Sequence, residues 1–354
     1  VRRAVETPLY GAAYEMQHHS MQAEVIRVDP VRPESGAISR AAAVLRAGGL
    51  VAFPTETVYG LGANALDASA VARIFAAKGR PAYNPLIVHV PDAGAAQVLV
   101  SAWPELAARA AAAFWPGPLT LVLPRRPAVP DAVTAGLPTV GVRVPAHPVA
   151  GALLRAAGVP VAAPSANLFT RVSPTTAQHV IAGLGDRADL ILDGGATPYG
   201  IESTVLDLTG TRPRILRHGA IPADELAALL GPVDEVTVPE STGDDSRPRP
   251  APGMTGRHYA PAARLVVFAG VAEAQRHAGA ARARGEKAGA IVRGAAGVEA
   301  DHVIPLPDEP AGYARLFYAS LHTLDEAGCG VILVEAVPAT AAWRAVRDRL
   351  SRAG

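Results

Sequence analysis

The sequence predicts an α/β protein in two parts, and three observations carry that expectation. Short apolar runs of strand length recur along residues 21–231, separated by segments with apolar residues at helical spacing. From residue 264 to 354 the alternation of strand and helix is regular enough to imply a small parallel sheet. Between them, residues 232–263 pass from acids to Arg, Pro and Gly, the composition of a linker. A chain of 354 residues suits two domains.

Composition narrows the function classes. With 18% charged residues and a formal net charge of +1 there is no global basic field, so RNA contact is expected to be local or weak. Cys329 is the sole cysteine, which excludes an internal disulfide and a cysteine zinc cluster. No apolar run approaches the ~20 residues of a membrane span, and residues 1–20 lack the apolar region of a signal peptide. The expectation is a soluble, cytoplasmic protein with no membrane partner.

In order along the chain, residues 1–20 lack periodicity and read as a disordered tail or upstream extension before a natural start at Met21. His18-His19 lie in this polar tail and are assigned no metal role. Residues 22–28 alternate as a first strand, and 39–47 read as a helix closed by Gly48. Residues 49–90 form the chemical centre. Leu50-Val51-Ala52-Phe53 has the make-up of a buried strand, ended by Pro54. Thr55, Glu56 and Thr57 crowd its exit, with Gly60 and Gly62 giving the backbone room to turn. Asp67 or Ser69 can cap a helix running to about Ala77, and Lys78-Gly79-Arg80-Pro81 follows it. Asn84-Pro85 then leads into a strand, 86–90, that carries His89.

Lys78 stands out because the only lysines are Lys78 and Lys287, every other basic side chain being arginine. A compact ammonium is one reading of that exception; a solvated helix end favoured by the dipole is the other. After a helix over 105–114 and the turn Trp115-Pro116-Gly117-Pro118 comes a strand over 119–123. Residues 139–145 alternate, so Arg143 projects opposite Val142 and Val144, onto either a solvated face or a site. A helix near 149–157 precedes Val161-Ala162-Ala163-Pro164-Ser165-Ala166-Asn167, another strand end that delivers a hydroxyl and an amide. Ser173 reads as the N-cap of the next helix, a position that can equally receive an anion. A strand over 190–192, hydroxyls at Ser203 and Thr204, and Arg217-His218 after another strand continue the pattern.

Strand after strand is thus flanked by Ser, Thr, Asn, Arg or Lys, and ligand sites in α/β folds collect at strand ends. A shared pocket for a polyanionic small molecule follows. The linker's end, Arg257-His258-Tyr259, is too rich in ring and cation for an inert spacer, so it is expected to fold back over the pocket. In residues 264–354 three strands alternate with helices without a Gly-rich phosphate loop, and His322 and Cys329 read as structural.

Nine stretches in order resemble the long, two-domain form of the YrdC-type L-threonylcarbamoyladenylate synthases: FPTETVYGLG at 53–62, KGRPAYNPLIVHV at 78–90, WPGPLTLVL at 115–123, VGVRVP at 140–145, APSAN at 163–167, SPT at 173–175, ESTVLD at 202–207, ILRHG at 215–219 and PGMTGRHYAP at 252–261. The resemblance implies a twisted mixed sheet around a concave pocket, followed by a Rossmann-like appendage. It implies a reaction in which L-threonine, bicarbonate and ATP give L-threonylcarbamoyl-AMP and pyrophosphate, with Mg2+ on the triphosphate and no protein metal site. The product would feed tRNA threonylcarbamoyladenosine formation by a downstream threonylcarbamoyl transferase machinery.

By motif, Thr57, His89, Arg143, Ala163 and Ser203 would form the threonine site. Lys78, Arg80, Asn84, Thr139, Ser165, Ser173, Arg217 and Tyr259 would form the ATP site, with Lys78, Arg80 and Arg143 carrying the catalytic electrostatics; Thr55 and Asn167 would be near neighbours. Two departures stand out: Leu168-Phe169-Thr170-Arg171 where the family has a Ser-Gly-like turn, and Thr255-Gly256 where it has a basic-aromatic pair. The competing readings are a carbamoyl-AMP-forming carbamoyltransferase relative and a non-catalytic RNA-binding module. One cysteine and no added partner domain count against the first. Near-neutral charge counts against the second.

Overall fold

The computed structural model describes residues 23–236, 249–252, 258–293 and 297–354. The expected tail at 1–20, Met21, His18-His19, the acidic centre of the linker and Thr255-Gly256 lie outside the described residues.

The first sheet has eleven strands: β1 (Glu24–Arg27), β2 (Val51–Pro54), β3 (Tyr59–Asn64), β4 (Ile87–His89), β5 (Leu119–Pro124), β6 (Thr139–Arg143), β7 (Val161–Ala162), β8 (Leu190–Asp193), β9 (Thr204–Asp207), β10 (Arg214–Arg217) and β11 (Asp234–Glu235). Their order across the sheet is β1-β8-β2-β3-β7-β4-β6-β5-β9-β10-β11, with parallel and antiparallel neighbours mixed. Helices α1 (Ser35–Arg46), α2 (Ala68–Lys78), α3 (Ala93–Leu99), α4 (Glu105–Phe114), α5 (Asp131–Thr134), α6 (Pro148–Ala157), α7 (Ala177–Leu184) and α8 (Ala223–Leu230) accompany it. Leu50, Tyr59, Leu61, Ile74, Val88, Leu121 and Val142 are buried together in its main apolar cluster. Burying side chains of this size contributes roughly 1.5–3 kcal/mol each.

Local signals explain why these elements start and stop. Asp67 caps α2 by accepting from the amides of Ser69 and Ala70, and Gly79 ends it at φ 59°, so Lys78 is the last helical residue. The glycines at 60 and 62 mark a strand where the sequence reading expected a turn. The reversal happens earlier, at residues 55–58, where the Thr55 amide and hydroxyl both donate to the Val58 carbonyl. β3 then returns antiparallel to β2, pairing Val51 with Gly62. A Cβ on Gly62 would stand 2.8 Å from Phe53 Cε1 and Val161 Cγ1, so glycine is required for close packing. Ser173 is likewise not the cap of its helix. Thr176 is the N-cap of α7, its hydroxyl accepting from the His179 amide at 3.3 Å.

The second sheet contains β12 (Arg264–Phe268), β13 (Lys287–Arg293), β14 (His302–Leu306) and β15 (Cys329–Glu335), all parallel in the order β12-β15-β13-β14. Helices α9 (Val271–Ala283), α10 (Pro310–Glu326) and α11 (Arg344–Ala353) pack with it. It has four strands where three were expected. β14 escaped notice because Pro305 interrupts its apolar run, and an edge strand is where a sheet tolerates proline. Among the described residues no helix is long and apolar enough to cross a membrane.

Candidate active site

The strand ends of the first sheet converge as the sequence pattern implied. His89 and Arg143, the last residues of β4 and β6, face each other in parallel register. Ala163 to Ser165 leave β7, Ser203 precedes β9, and Arg217 ends β10. Together with Thr57, Arg80 and Tyr259 these residues line one cleft. A larger cavity between α8 and the starts of α10 and α11, with alanine its commonest lining residue, gathers none of the expected site residues.

One end of the cleft is built on an ion pair. Arg143 is 4% exposed, so it lies on no solvated face. Its NH2 donates to Glu56 Oε1 at 2.6 Å, its NH1 to the Thr57 hydroxyl at 3.1 Å and its Nε to the Gly117 carbonyl at 3.3 Å. The Glu56 Oε2 accepts from the Ala146 amide at 3.0 Å. Thr55 and Thr57 share a hydroxyl contact of 2.8 Å, which places Thr55 as a neighbour of the site. Beside them His89 is buried with Nδ1 unpartnered among the described residues. Burial first, and then the Arg143 charge, push its pKa down to about 3, so the imidazole is neutral. The Ser203 hydroxyl meets Thr120 at 2.8 Å and accepts from Arg217 at 3.0 Å.

At the other end the cations are held chiefly by oxygen dipoles, with the Phe169 ring centroid 5.9 Å from the Arg80 guanidinium. Lys78 is buried and donates through Nζ to the carbonyls of Ser165 and Asn167. Burial, and then the charge of Arg80, hold its pKa well below the usual lysine range. Arg80 donates to Asn84 Oδ1 at 2.6 Å and to the carbonyls of Asn84 and Pro85, and burial lowers it to about 9. Arg217 donates to the Ser203 carbonyl from both Nε and NH2. Among the described residues none of these three cations forms an ion pair.

Four expected residues stand back from this cleft. Lys78 lies behind the 165–167 backbone that it holds, and Asn84 braces Arg80. Thr139 lines a small adjoining crevice that shares Pro85, Leu86, Ile87 and Pro252 with the cleft. Ser173 donates its hydroxyl to Glu202 Oε1 at 2.6 Å. Asn167 braces the following turn through the carbonyls of Leu168 and Arg171. In that turn Thr170 adopts φ 69°, the conformation glycine would take more readily, and its carbonyl accepts from the Ala260 amide at 2.8 Å. The next strained residue is close by: Tyr259 has φ 63° and is 1% exposed.

Sequence reasoning gave Glu202 no role, yet it lines the cleft. Besides Ser173, its carboxylate accepts from the Tyr318 hydroxyl at 3.2 Å and from Arg349 Nε at 2.8 Å. Burial alone would raise this carboxyl; the Arg349 and Arg217 charges and the Ser173 hydrogen bond overcome that and hold it at about 2. Glu56 was also missed, and His258, expected only as part of the linker end folding over the pocket, lines it. His258 is buried beside Tyr259, and burial, then Arg80, lower it to about 3. The carboxylates had a local signal, since each is the acid of a hydroxyl-flanked motif, Thr-Glu-Thr or Glu-Ser-Thr.

Comparison with known proteins shows the family. Residues 43–219 match the Sua5, YciO and YrdC family, described as Telomere recombination, and residues 221–354 match the family described as Threonylcarbamoyl-AMP synthase, C-terminal domain. The chain is 44% identical over 328 residues to the threonylcarbamoyl-AMP synthase of Pyrococcus abyssi, spanning 91% of this chain and 95% of that one. It is 43% identical over 326 residues to that of Bacillus subtilis, spanning 89% and 92%. The crystal structure of Pyrococcus abyssi Sua5 complexed with L-threonine superposes with a TM-score of 0.86 at 43% identity, covering 93% of this chain and 97% of that one. The chain belongs to the threonylcarbamoyl-AMP synthase family.

Proposed function

We propose that this enzyme converts L-threonine, bicarbonate and ATP into L-threonylcarbamoyl-AMP and pyrophosphate. The observation that carries the reading is the cleft's division into an ion-paired end with a neutral imidazole and an end whose buried cations have no carboxylate partner. An amino acid and a triphosphate ask for those two environments. Arg143 would receive the threonine carboxylate, while Thr57, His89 and Ser203 orient its amine and hydroxyl and Ala163 leaves it room. Arg80 and Arg217 would face the phosphates, with Lys78 adding its charge from behind the 165–167 backbone and Asn84, Ser165, Ser173, Thr139 and Tyr259 shaping the rest of the nucleotide site.

The threonine amine captures bicarbonate-derived CO2 as a carbamate, a carbamate oxygen attacks the α-phosphorus, and pyrophosphate leaves. Carbamates are labile in water, so such a site works by orientation, charge stabilisation and exclusion of solvent. Closure over the cleft by Tyr259, which lines it, fits that need. Glu56 and Glu202 are both taken up by arginines, so Mg2+ would arrive on the triphosphate, held by nucleotide and water. The product would pass to a cytoplasmic transferase that completes threonylcarbamoyladenosine on tRNA, with weak or indirect tRNA contact here. The test is pyrophosphate release from MgATP with and without threonine and bicarbonate. Strict dependence on both is expected; release without threonine would overturn the reading.

A further inference from the structure

Arg349 has zero exposure, although it sits on the final helix α11, far from the first sheet in sequence. The same helix face buries Val346, Leu350 and Ala353, where an apolar side chain would pack without the desolvation of a guanidinium. Its contacts reach out of its own sheet's core. Nε donates to Glu202 at 2.8 Å, NH1 to Asp348 at 2.7 Å, and the guanidinium lies 5.0 Å from the Tyr259 ring centroid. Tyr259 in turn stacks on Tyr318 of α10 at 5.9 Å. Glu202 is the cleft carboxylate that holds the Ser173 hydroxyl.

We propose that Arg349 is a positioning residue for the nucleotide end of the cleft, acting through Glu202 and Tyr259; the inference rests on the function proposed above. Its work is electrostatic. Arg217 is the other arginine whose charge acts on Glu202, and it is one of the three cations without an ion pair among the described residues. Arg349 satisfies Glu202 from behind, so the carboxylate does not swing onto Arg217 and cancel the charge left for phosphate. Through a separate contact, its guanidinium over the ring, it also fixes Tyr259, the strained residue lining the cleft. Helix α11, none of whose described residues lines the cleft, thereby sets the charge available there.

The experiment is steady-state pyrophosphate release by the full chain. Arg349→Gln is expected to raise KM for ATP about tenfold, within the range for directly coupled neighbours, with kcat and KM for threonine changing far less. Adding Glu202→Gln, which keeps an acceptor for Ser173 but removes the freed charge, is expected to restore most of the ATP affinity. A purely structural arginine would give the opposite, a double variant at least as impaired as the single one, and that result overturns the proposal. If Arg349→Gln does not fold, Arg349→Lys supplies the reading. It keeps a cation near Glu202 but loses the planar contact with Tyr259, so a smaller rise in KM for ATP is expected, and an unchanged KM overturns the proposal. Wild-type protein without threonine-dependent release would instead defeat the functional reading itself.

Discussion

The two ends of the cleft solve the same problem differently. Arg143 and Lys78 are both cations removed from water, 4% and 2% exposed. Arg143 has a built-in counter-charge in Glu56 at 2.6 Å, whereas Lys78 and Arg80 are held by carbonyl and amide oxygens. A buried cation with a carboxylate partner is locally near neutral and can recognise a zwitterion by geometry. One held by neutral dipoles keeps its charge unspent, at a desolvation cost that only an incoming anion repays. The difference teaches where each substrate should bind, and it can be broken by substitution.

The largest effect is expected at the unspent end. Lys78→Met should lower kcat/KM for ATP by about 100- to 1000-fold, the scale of losing one charge-stabilising donor, with far less change in KM for threonine. A threonine effect of equal size would erase the distinction between the ends. Next comes the paired end: Glu56→Gln leaves Arg143 charged and buried, so unfolding in urea should report a loss of about 3 kcal/mol. A loss near zero would mean that the pair is not what keeps Arg143 buried.

Acid should strain both ends together. His89 and His258 titrate near ~6.5 when unfolded but are pushed to about 3 when folded, chiefly by burial. Below the unfolded value each is protonated only in the unfolded chain, so stability falls with pH, by up to about 1.4 kcal/mol per unit for each histidine. The urea midpoint should therefore drop between pH 7 and pH 5, and His89→Gln should flatten the drop; a flat wild-type profile would contradict the buried, neutral assignment. The smallest expected effect is a gain. Thr170→Gly relieves a left-handed conformation costing a side-chain residue roughly 1–2 kcal/mol, less the flexibility glycine adds to the unfolded chain. The melting temperature should rise slightly, and a fall would show that Thr170 is held by more than the turn.

The sequence made the cleft legible because its residues sit at strand ends, where apolar runs stop at hydroxyls, amides and cations. It misread Ser173 because a helix cap and a donor to a carboxylate look the same in one dimension. Glycines 60 and 62 looked like a turn, since tight packing against Phe53 asks for the residue that a turn also asks for. Pro305 hid a strand that only its edge position permits. The Glu202–Arg349 pair was unreadable for another reason: the partners lie 147 residues apart, and nothing local to either announces the contact.

The pair of lysines gives this chain an unusual handle. Lys287 is exposed, whereas Lys78 is enclosed and donates to the carbonyls of Ser165 and Asn167. An amine-acylating reagent should therefore mark Lys287 at once and Lys78 only during the moments when the cleft opens. Mass spectrometry of the two peptides would then time that opening within one molecule, one lysine serving as clock and the other as reference. Adding ATP should silence the clock without touching the reference.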